Sequence, residues 1–185
     1  MKNVFKCKFN AILAFIFSLF VLISCESKPS LQTYFVDHQE APNFISMDIP
    51  ISFLGVNDIQ VTKTQREAIN SIDKLNMLGY SLKSGSLDIY NEEVTKIKAL
   101  LKDKSYNELL RLGNPKEGKI KITYTGSDDA IDELVIFGES KEFGFAIIRV
   151  LGDEMNVSKI MELGPIINKL DTKEMNVEGF LDFML

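Results

Sequence analysis

The sequence has few of the side chains from which catalytic, metal and disulfide sites are built. Its 185 residues include one histidine, two cysteines and only three arginines. Neither a Gly-x-Ser-x-Gly nucleophile elbow nor a glycine-rich phosphate loop occurs in it. These absences argue against the common hydrolase and nucleotide-binding classes.

Positive charge is also in short supply, since the formal net charge of the chain is −5 at pH 7. Proteins that bind nucleic acid need clustered Lys and Arg to displace counterions from the phosphates. We therefore expect no nucleic-acid partner. The shortage of arginine argues in the same way against phosphate recognition.

What the sequence does contain is an informative N-terminus. Lys2, Lys6 and Lys8 precede an apolar run from Ala11 to Ile23. At 1.5 Å per residue, a helix of that length falls short of a hydrocarbon core of roughly 30 Å. The order of charged region, apolar region and small residue is that of an export signal.

Residues Leu22-Ile23-Ser24-Cys25 resemble the lipobox of bacterial lipoprotein precursors. The resemblance implies that the Cys25 thiol receives a diacylglyceryl group, that a peptidase cleaves between Ser24 and Cys25, and that a further acyl chain such as palmitate often follows. Two or three chains give stable membrane anchoring. An ordinary secretory signal, which releases a soluble protein, and an uncleaved signal anchor are the alternatives. The favoured interpretation predicts an exported protein on the cell membrane or the outer membrane.

The lipobox divides the chain into four predicted parts. A signal peptide of residues 1–24 is followed by a lipidated cysteine and tether (25–33), a single domain (34–170) and a C-terminal tail (171–185). Cleavage would remove three lysines and Cys7, which leaves about 160 residues with a net charge of about −8 and no disulfide. The apolar end of the tail, Phe180 to Leu185, either packs onto the domain or forms an exposed contact for a partner or membrane.

Alternation and helical spacing within 34–170 predict an α+β fold. We expect an antiparallel sheet of four to five strands with helices packed mainly on one face, and the last two strands in its centre. Strands are predicted at 44–49, 75–82, 119–125, 133–137 and 143–151. Capping patterns predict helices starting at Thr64, Asn91 and Ser105, the last of these ending at Gly113, and a further helix spans 157–170.

A second resemblance covers most of this domain. The segments 124–138 and 144–153, together with Lys104 to Leu110 upstream, resemble a family of small lipoproteins from Bacteroidetes-type bacteria that is known only as a domain of unknown function. The similarity extends from about Phe35 to Leu170, and its motifs are structural in character. It implies a single exported domain and supplies no catalytic residues.

Three features of the domain could carry chemistry. The densest acidic group is Asp128, Asp129, Asp132 and Glu133, which could ligate Ca²⁺ or supply the acid and base of a glycoside hydrolase. The EF-hand spacing is absent, and a solvated hairpin turn is the alternative.

His38 is a candidate base oriented by Asp37, or a metal ligand, with a helix-end histidine as the alternative. Arg149 interrupts an apolar strand, so it either pairs with an acid on a neighbouring strand or faces a binding cleft. We expect no cofactor and no metal.

These observations together predict a lipid-anchored cell-envelope protein whose domain is a non-enzymatic binding or interaction module of unknown ligand. Its expected partners are the membrane, through acyl chains on Cys25, and another envelope protein. The alternative function is an envelope hydrolase that uses the acidic cluster 128–133.

Overall fold

The computed structural model of the protein describes residues 28–54, 59–114 and 118–165. The predicted lipobox, with Ser24 and Cys25, and the predicted tail 171–185 lie outside these ranges. The described helices are α1 (Leu31–His38), α2 (Lys63–Asn70), α3 (Leu87–Leu100) and α4 (Val157–Met161), with a 3₁₀ turn at Ile51–Leu54. The strands are β1 (Phe44–Pro50), β2 (Ile72–Ser81), β3 (Asn107–Asn114), β4 (Gly118–Ser127), β5 (Ala130–Ser140) and β6 (Gly144–Met155).

The six strands form one sheet in the order β1-β2-β6-β5-β4-β3, and every neighbouring pair is antiparallel. The predicted α+β class with an antiparallel sheet is therefore confirmed, although the predicted four to five strands fall short by at least one. Strands β5 and β6 occupy the centre, as expected from their apolar residues on both faces.

The strand missing from the prediction is β3. The capping-box pattern from Ser105 to Glu108 predicts a short helix there, and this prediction is wrong. Leu110 and Leu112 of β3 instead lie opposite Ile122 and Ile120 of β4. Cross-strand apolar pairs of this kind are formed only with a distant segment, and they override a local capping signal.

Helices cover both faces of the sheet, so the prediction that they pack mainly on one face is wrong. One face, named here the α1/α3 face, buries Leu31 and Phe35 of α1 and Val94 and Ile97 of α3 against β2, β5 and β6. The opposite face, named the α2/α4 face, packs Ile69 of α2 and residues of α4 against the sheet. The strand alternation permits this because β2, β5 and β6 present apolar side chains to both sides.

The core of the α1/α3 face is aromatic. The ring of Phe145 is 1% exposed, and its centroid lies 5.6 Å from that of Tyr80 and 6.3 Å from those of Tyr90 and Phe137. Such ring pairs add to the free energy gained from burial alone. Phe145 therefore lies at the point where α3 is fixed to the central strands.

Helix boundaries differ from the predicted ones because the true caps lie further upstream. Thr62, not Thr64, accepts the backbone N–H of Gln65 at the start of α2, and Ser86, not Asn91, caps α3. Each true cap precedes the first residue whose backbone is helical, and its side chain accepts an otherwise free N–H. The chain turns directly from α2 into β2, so β2 begins at Ile72, three residues before the predicted start of this strand at residue 75.

Both ends of the predicted domain differ from the structure. Ser30 caps α1, and Leu31 is 1% exposed, so residues 31–33 belong to the folded domain and not to the tether. Helix α4 ends at Met161, so the prediction of a helix is wrong for residues 162–165, and positions 166–170 lie outside the described residues. Among the described residues, no helix has both the length and the apolar character required to cross a bilayer.

Candidate functional site

The four predicted acidic site residues are not brought together. The Asp128 carboxylate accepts a hydrogen bond from the Tyr124 hydroxyl, and that of Asp129 accepts one from Asn156 at 3.2 Å. Asp132 is exposed at an irregularity in the pairing of β5 with β4 and β6, whereas the next residue, Glu133, pairs with Arg149 of β6. Across the described ranges, no group of three or more His, Cys, Asp or Glu side chains could hold a metal ion.

Glu133 has a structural partner in Arg149. The Arg149 Nε donates to Glu133 Oε1, and the guanidinium carbon lies 5.2 Å from the ring centroid of Phe35. Of the two alternatives for Arg149, the structure shows the pairing with an acid on a neighbouring strand. Burial, with a further contribution from Glu133, raises the pKa of the nearby Tyr106 to about 12.

His38 closes α1 and connects it to α3. Its Nδ1 lies 2.7 Å from the Tyr34 carbonyl oxygen, and its Nε2 lies 3.3 Å from Glu93 Oε2. The Tyr34 hydroxyl donates to the same carboxylate oxygen at 2.8 Å. Burial, reinforced by Glu93, raises the pKa of Tyr34 well above its ordinary value. Both ring nitrogens thus face partners other than Asp37, and the arrangement fastens one helix to another.

The feature with the character of a binding site is a groove between the end of α3 and strands β3 and β4. Its cationic lining consists of Lys98, Lys102, Arg111, Lys119 and Lys121, and we name it the cationic groove. The groove encloses a cavity of about 180 Å³. Leu101 and Phe137, which are both buried in the core of the α1/α3 face, provide an apolar floor.

Local sequence patterns place these cations on one side. Lys98 lies in the last turn of α3, and Lys102 lies two residues beyond its end. Lys119 and Lys121 alternate with Ile120 along β4 and therefore share a face of the sheet. Arg111 of β3 lies directly opposite Lys121.

Two carboxylates offset part of this positive charge. Lys98 Nζ lies 2.6 Å from Glu139 Oε2, while Arg111 and Lys121 lie 2.6 and 3.7 Å from Glu108 Oε2. The hydrogen bond from Arg111 holds the pKa of the Glu108 carboxyl below its ordinary value. Within the described part of the chain, Lys102 and Lys119 form no ion pair, which leaves five cations facing two carboxylates.

A second cavity of about 310 Å³ continues the groove along α3. It shares Lys98, Lys119 and Glu139 with the first and adds Lys141 and Tyr90 to the lining. Burial, with a smaller contribution from Glu139, raises the pKa of Tyr90 to about 12. Tyr90 is therefore a neutral hydrogen-bond donor at ordinary pH.

The chemistry available in the groove is recognition of an anion. Ammonium and guanidinium groups bind carboxylate, sulfate or phosphate oxygens by charge-assisted hydrogen bonds. A purely structural role accounts for part of the set, because Lys121 donates to the Leu101 carbonyl at 3.2 Å and cations stabilise a helix C-terminus. Lys102 and Lys119 have no ion-pair partner among the described residues, so their charges remain available to a ligand.

Sequence reasoning missed this groove. The signal was present in two lysine-rich stretches, 96–104 and 119–121, but net charge averages over the whole molecule. An acidic chain can hold a local positive field when its cations are gathered on one surface. Only the folded arrangement, in which the end of α3 lies beside β4, shows that the two stretches meet.

The chain belongs to the family described as a domain of unknown function (DUF4252), whose sequence profile matches residues 34–163. This confirms the expectation of an uncharacterised domain over most of the chain. No curated protein and no solved structure matches the chain.

Proposed function

We propose that this member of the DUF4252 family is a lipid-anchored binding domain of the bacterial cell envelope, and that its cationic groove takes an anionic ligand. The observation that carries the proposal is the gathering of five cations over an apolar floor in an otherwise acidic chain. The ligand chemistry it fits is a carboxylate or phosphate group attached to a small apolar portion.

We assign binding and not catalysis because the chemistry-bearing residues already have structural partners. The single histidine of the chain contacts Tyr34 and Glu93. Glu133 pairs with Arg149, and the acids of the β4–β5 turn hydrogen-bond to Tyr124 and Asn156. No observation favours the hydrolase alternative over these pairings.

The anchoring half of the proposal rests on residues 22–25 and their resemblance to a lipobox. It predicts a Bacteroidetes-type lipoprotein on the exported side of the cell membrane or the outer membrane. Labelled palmitate should enter the wild-type chain and not Cys25→Ala, which should also leave the membrane fraction. Continued labelling and membrane retention of Cys25→Ala would reject the lipid anchor.

The binding half is tested by calorimetric titration with two probes. Inorganic pyrophosphate represents the phosphate source and trigalacturonate the carboxylate source. Lys102→Gln with Lys119→Gln should weaken the preferred probe about tenfold, since two exposed cation contacts contribute about 1.4 kcal/mol together. The matched control, Lys63→Gln with Lys74→Gln, removes the same charge outside the groove and should leave the affinity unchanged.

The outcome also separates local recognition from a general charge effect. Equal weakening in both double variants would show that the groove is not the site. Absence of binding by either probe in the wild-type chain would reject an anionic ligand of these two classes.

A further inference from the structure

The α2/α4 face of the sheet is covered at one end only. Helices α2 and α4 and the residues that follow them pack over Met77, Ile148 and Val150. The next cross-strand row, toward the β5–β6 turn, runs from Leu112 through Ile120 and Gly138 to Ala146. This row receives no described helix.

Apolar side chains are exposed along this row. Leu112 is 50% exposed, Ile120 is 41% exposed, and Phe143 at the neighbouring turn is 37% exposed. Ile120 and Phe143, together with Gly138 and Ala146, line a cavity of about 310 Å³, and Leu112 lies opposite Ile120 on β3; we name this surface the trough. A contiguous exposed apolar surface of this kind marks an interaction site.

Gly138 gives the trough its depth. It lies in the interior of central strand β5, where glycine weakens a strand and often marks the close approach of another segment. A Cβ added at Gly138 would meet only the Ala146 carbonyl oxygen, at 4.0 Å. Its backbone is not in the left-handed region. Within the described structure, therefore, neither a steric clash with a side chain nor the backbone conformation requires a glycine at position 138.

The chain itself provides a segment of matching chemistry. The described chain leaves α4 on this same face, where Leu163 packs against residues of both apolar clusters. The next 20 residues, 166–185, end in a stretch rich in large apolar side chains: Phe180, Leu181, Phe183, Met184 and Leu185.

The segment 166–185 is long enough to reach the trough. The row of the trough lies two residues along β6 from Ile148, or roughly 7 Å. Twenty extended residues span up to about 66 Å. A tethered segment also has an effective concentration in the millimolar range, which favours it over a second copy of the chain in dilute solution.

We propose that residues 179–185 dock in the trough and cover Leu112, Ile120 and Phe143. The contact closes the α2/α4 face as α1 and α3 close the opposite one. The proposal rests neither on a ligand of the cationic groove nor on the lipid anchor, although Lys119, Ile120 and Glu139 line both cavities.

A photo-crosslinking experiment on the full chain tests this contact directly. A benzophenone analogue of phenylalanine replaces Phe183, and crosslinked peptides are identified by mass spectrometry. Crosslinks within one chain to peptides containing Ile120 or Phe143 are expected. Crosslinks between two chains, crosslinks to the α1/α3 face or to lipid, or no protein crosslink at all would overturn the proposal.

A second variant keeps the test independent of the tail sequence. Gly138→Leu fills the trough and should displace the tail, so that limited proteolysis within 171–185 becomes at least tenfold faster. Gly164→Leu is the matched control, because an added Cβ there meets nothing within 4 Å. Equal cleavage rates in the wild-type chain and Gly138→Leu would contradict docking in the trough.

Discussion

The two faces of the sheet bury their apolar residues in different ways. The α1/α3 face is closed by two helices around stacked rings, and its buried polar side chains include two paired sets, Arg149 with Glu133 and Tyr34 with Glu93. The α2/α4 face is closed at one end and leaves Leu112 and Ile120 exposed at the other. The difference separates a face that holds the fold together from a face that has room for a further segment.

The largest expected effect is the loss of an aromatic ring from the closed face. Phe145→Ala should lower the free energy of unfolding by about 3–5 kcal/mol, because it leaves a cavity among four packed rings. Urea denaturation of the non-lipidated chain measures it. A loss below about 1 kcal/mol would mean that this face is not the stabilising core.

The buried ion pair of the same face should show the next largest effect. Arg149→Met leaves the largely buried Glu133 carboxylate without its cationic partner and should cost about 3 kcal/mol. Combining it with Glu133→Leu removes the uncompensated charge and should restore most of the lost stability. If the double variant is as unstable as the single one, the pair contributes more than charge compensation.

Tyrosine ionisation provides a pH test of the closed face. The pKa values of Tyr90 and Tyr106 are raised to about 12 in the folded state, above the ordinary value of 10. The folded state therefore holds these protons more tightly than the unfolded state, and their contribution to stability, present below pH 10, is lost as the pH rises toward 12. Alkaline titration of phenolate absorbance should show a late component that shrinks in Tyr90→Phe and in Tyr106→Phe.

The smallest effect is expected on the open face. Ile120→Ala removes a side chain that is 41% exposed before the proposed contact with the tail is counted, and it should cost less than about 2 kcal/mol in the same urea assay. A cost as large as that of Phe145→Ala would remove the contrast between the faces.

Much of this fold follows from the sequence, and the errors have a common cause. The alternation of Lys119 to Thr125 and the apolar runs at Leu134 and Phe145 predict β4, β5 and β6 and their central position. Capping patterns predict helices near 64 and 91 but place their starts too late, and the pattern at Ser105 predicts a helix where β3 pairs with β4. Capping signals are local, whereas strand pairing depends on a partner distant in sequence.

The candidate site was less accessible to sequence reasoning. The sequence shows Arg149 as a charge within an apolar strand, and an ion pair with an acid on a neighbouring strand is one of the two alternatives that follow from this position. The acids from Asp128 to Glu133 suggest a ligand cluster, but Asp128, Asp129 and Glu133 have separate partners and Asp132 is exposed. The cationic groove depends on how α3 packs beside β4, which no window of sequence contains.

The central functional claim is that the cationic groove binds an anion. Amide chemical shifts of the ¹⁵N-labelled, non-lipidated chain during titration with the preferred probe, pyrophosphate or trigalacturonate, test it most directly. Saturable shifts confined to residues 98–102, Arg111 and 118–121 are expected, with the trough residues Gly138 and Ala146 unaffected. Shifts scattered over all exposed lysines, or centred on the acidic turn at Asp128, would contradict it.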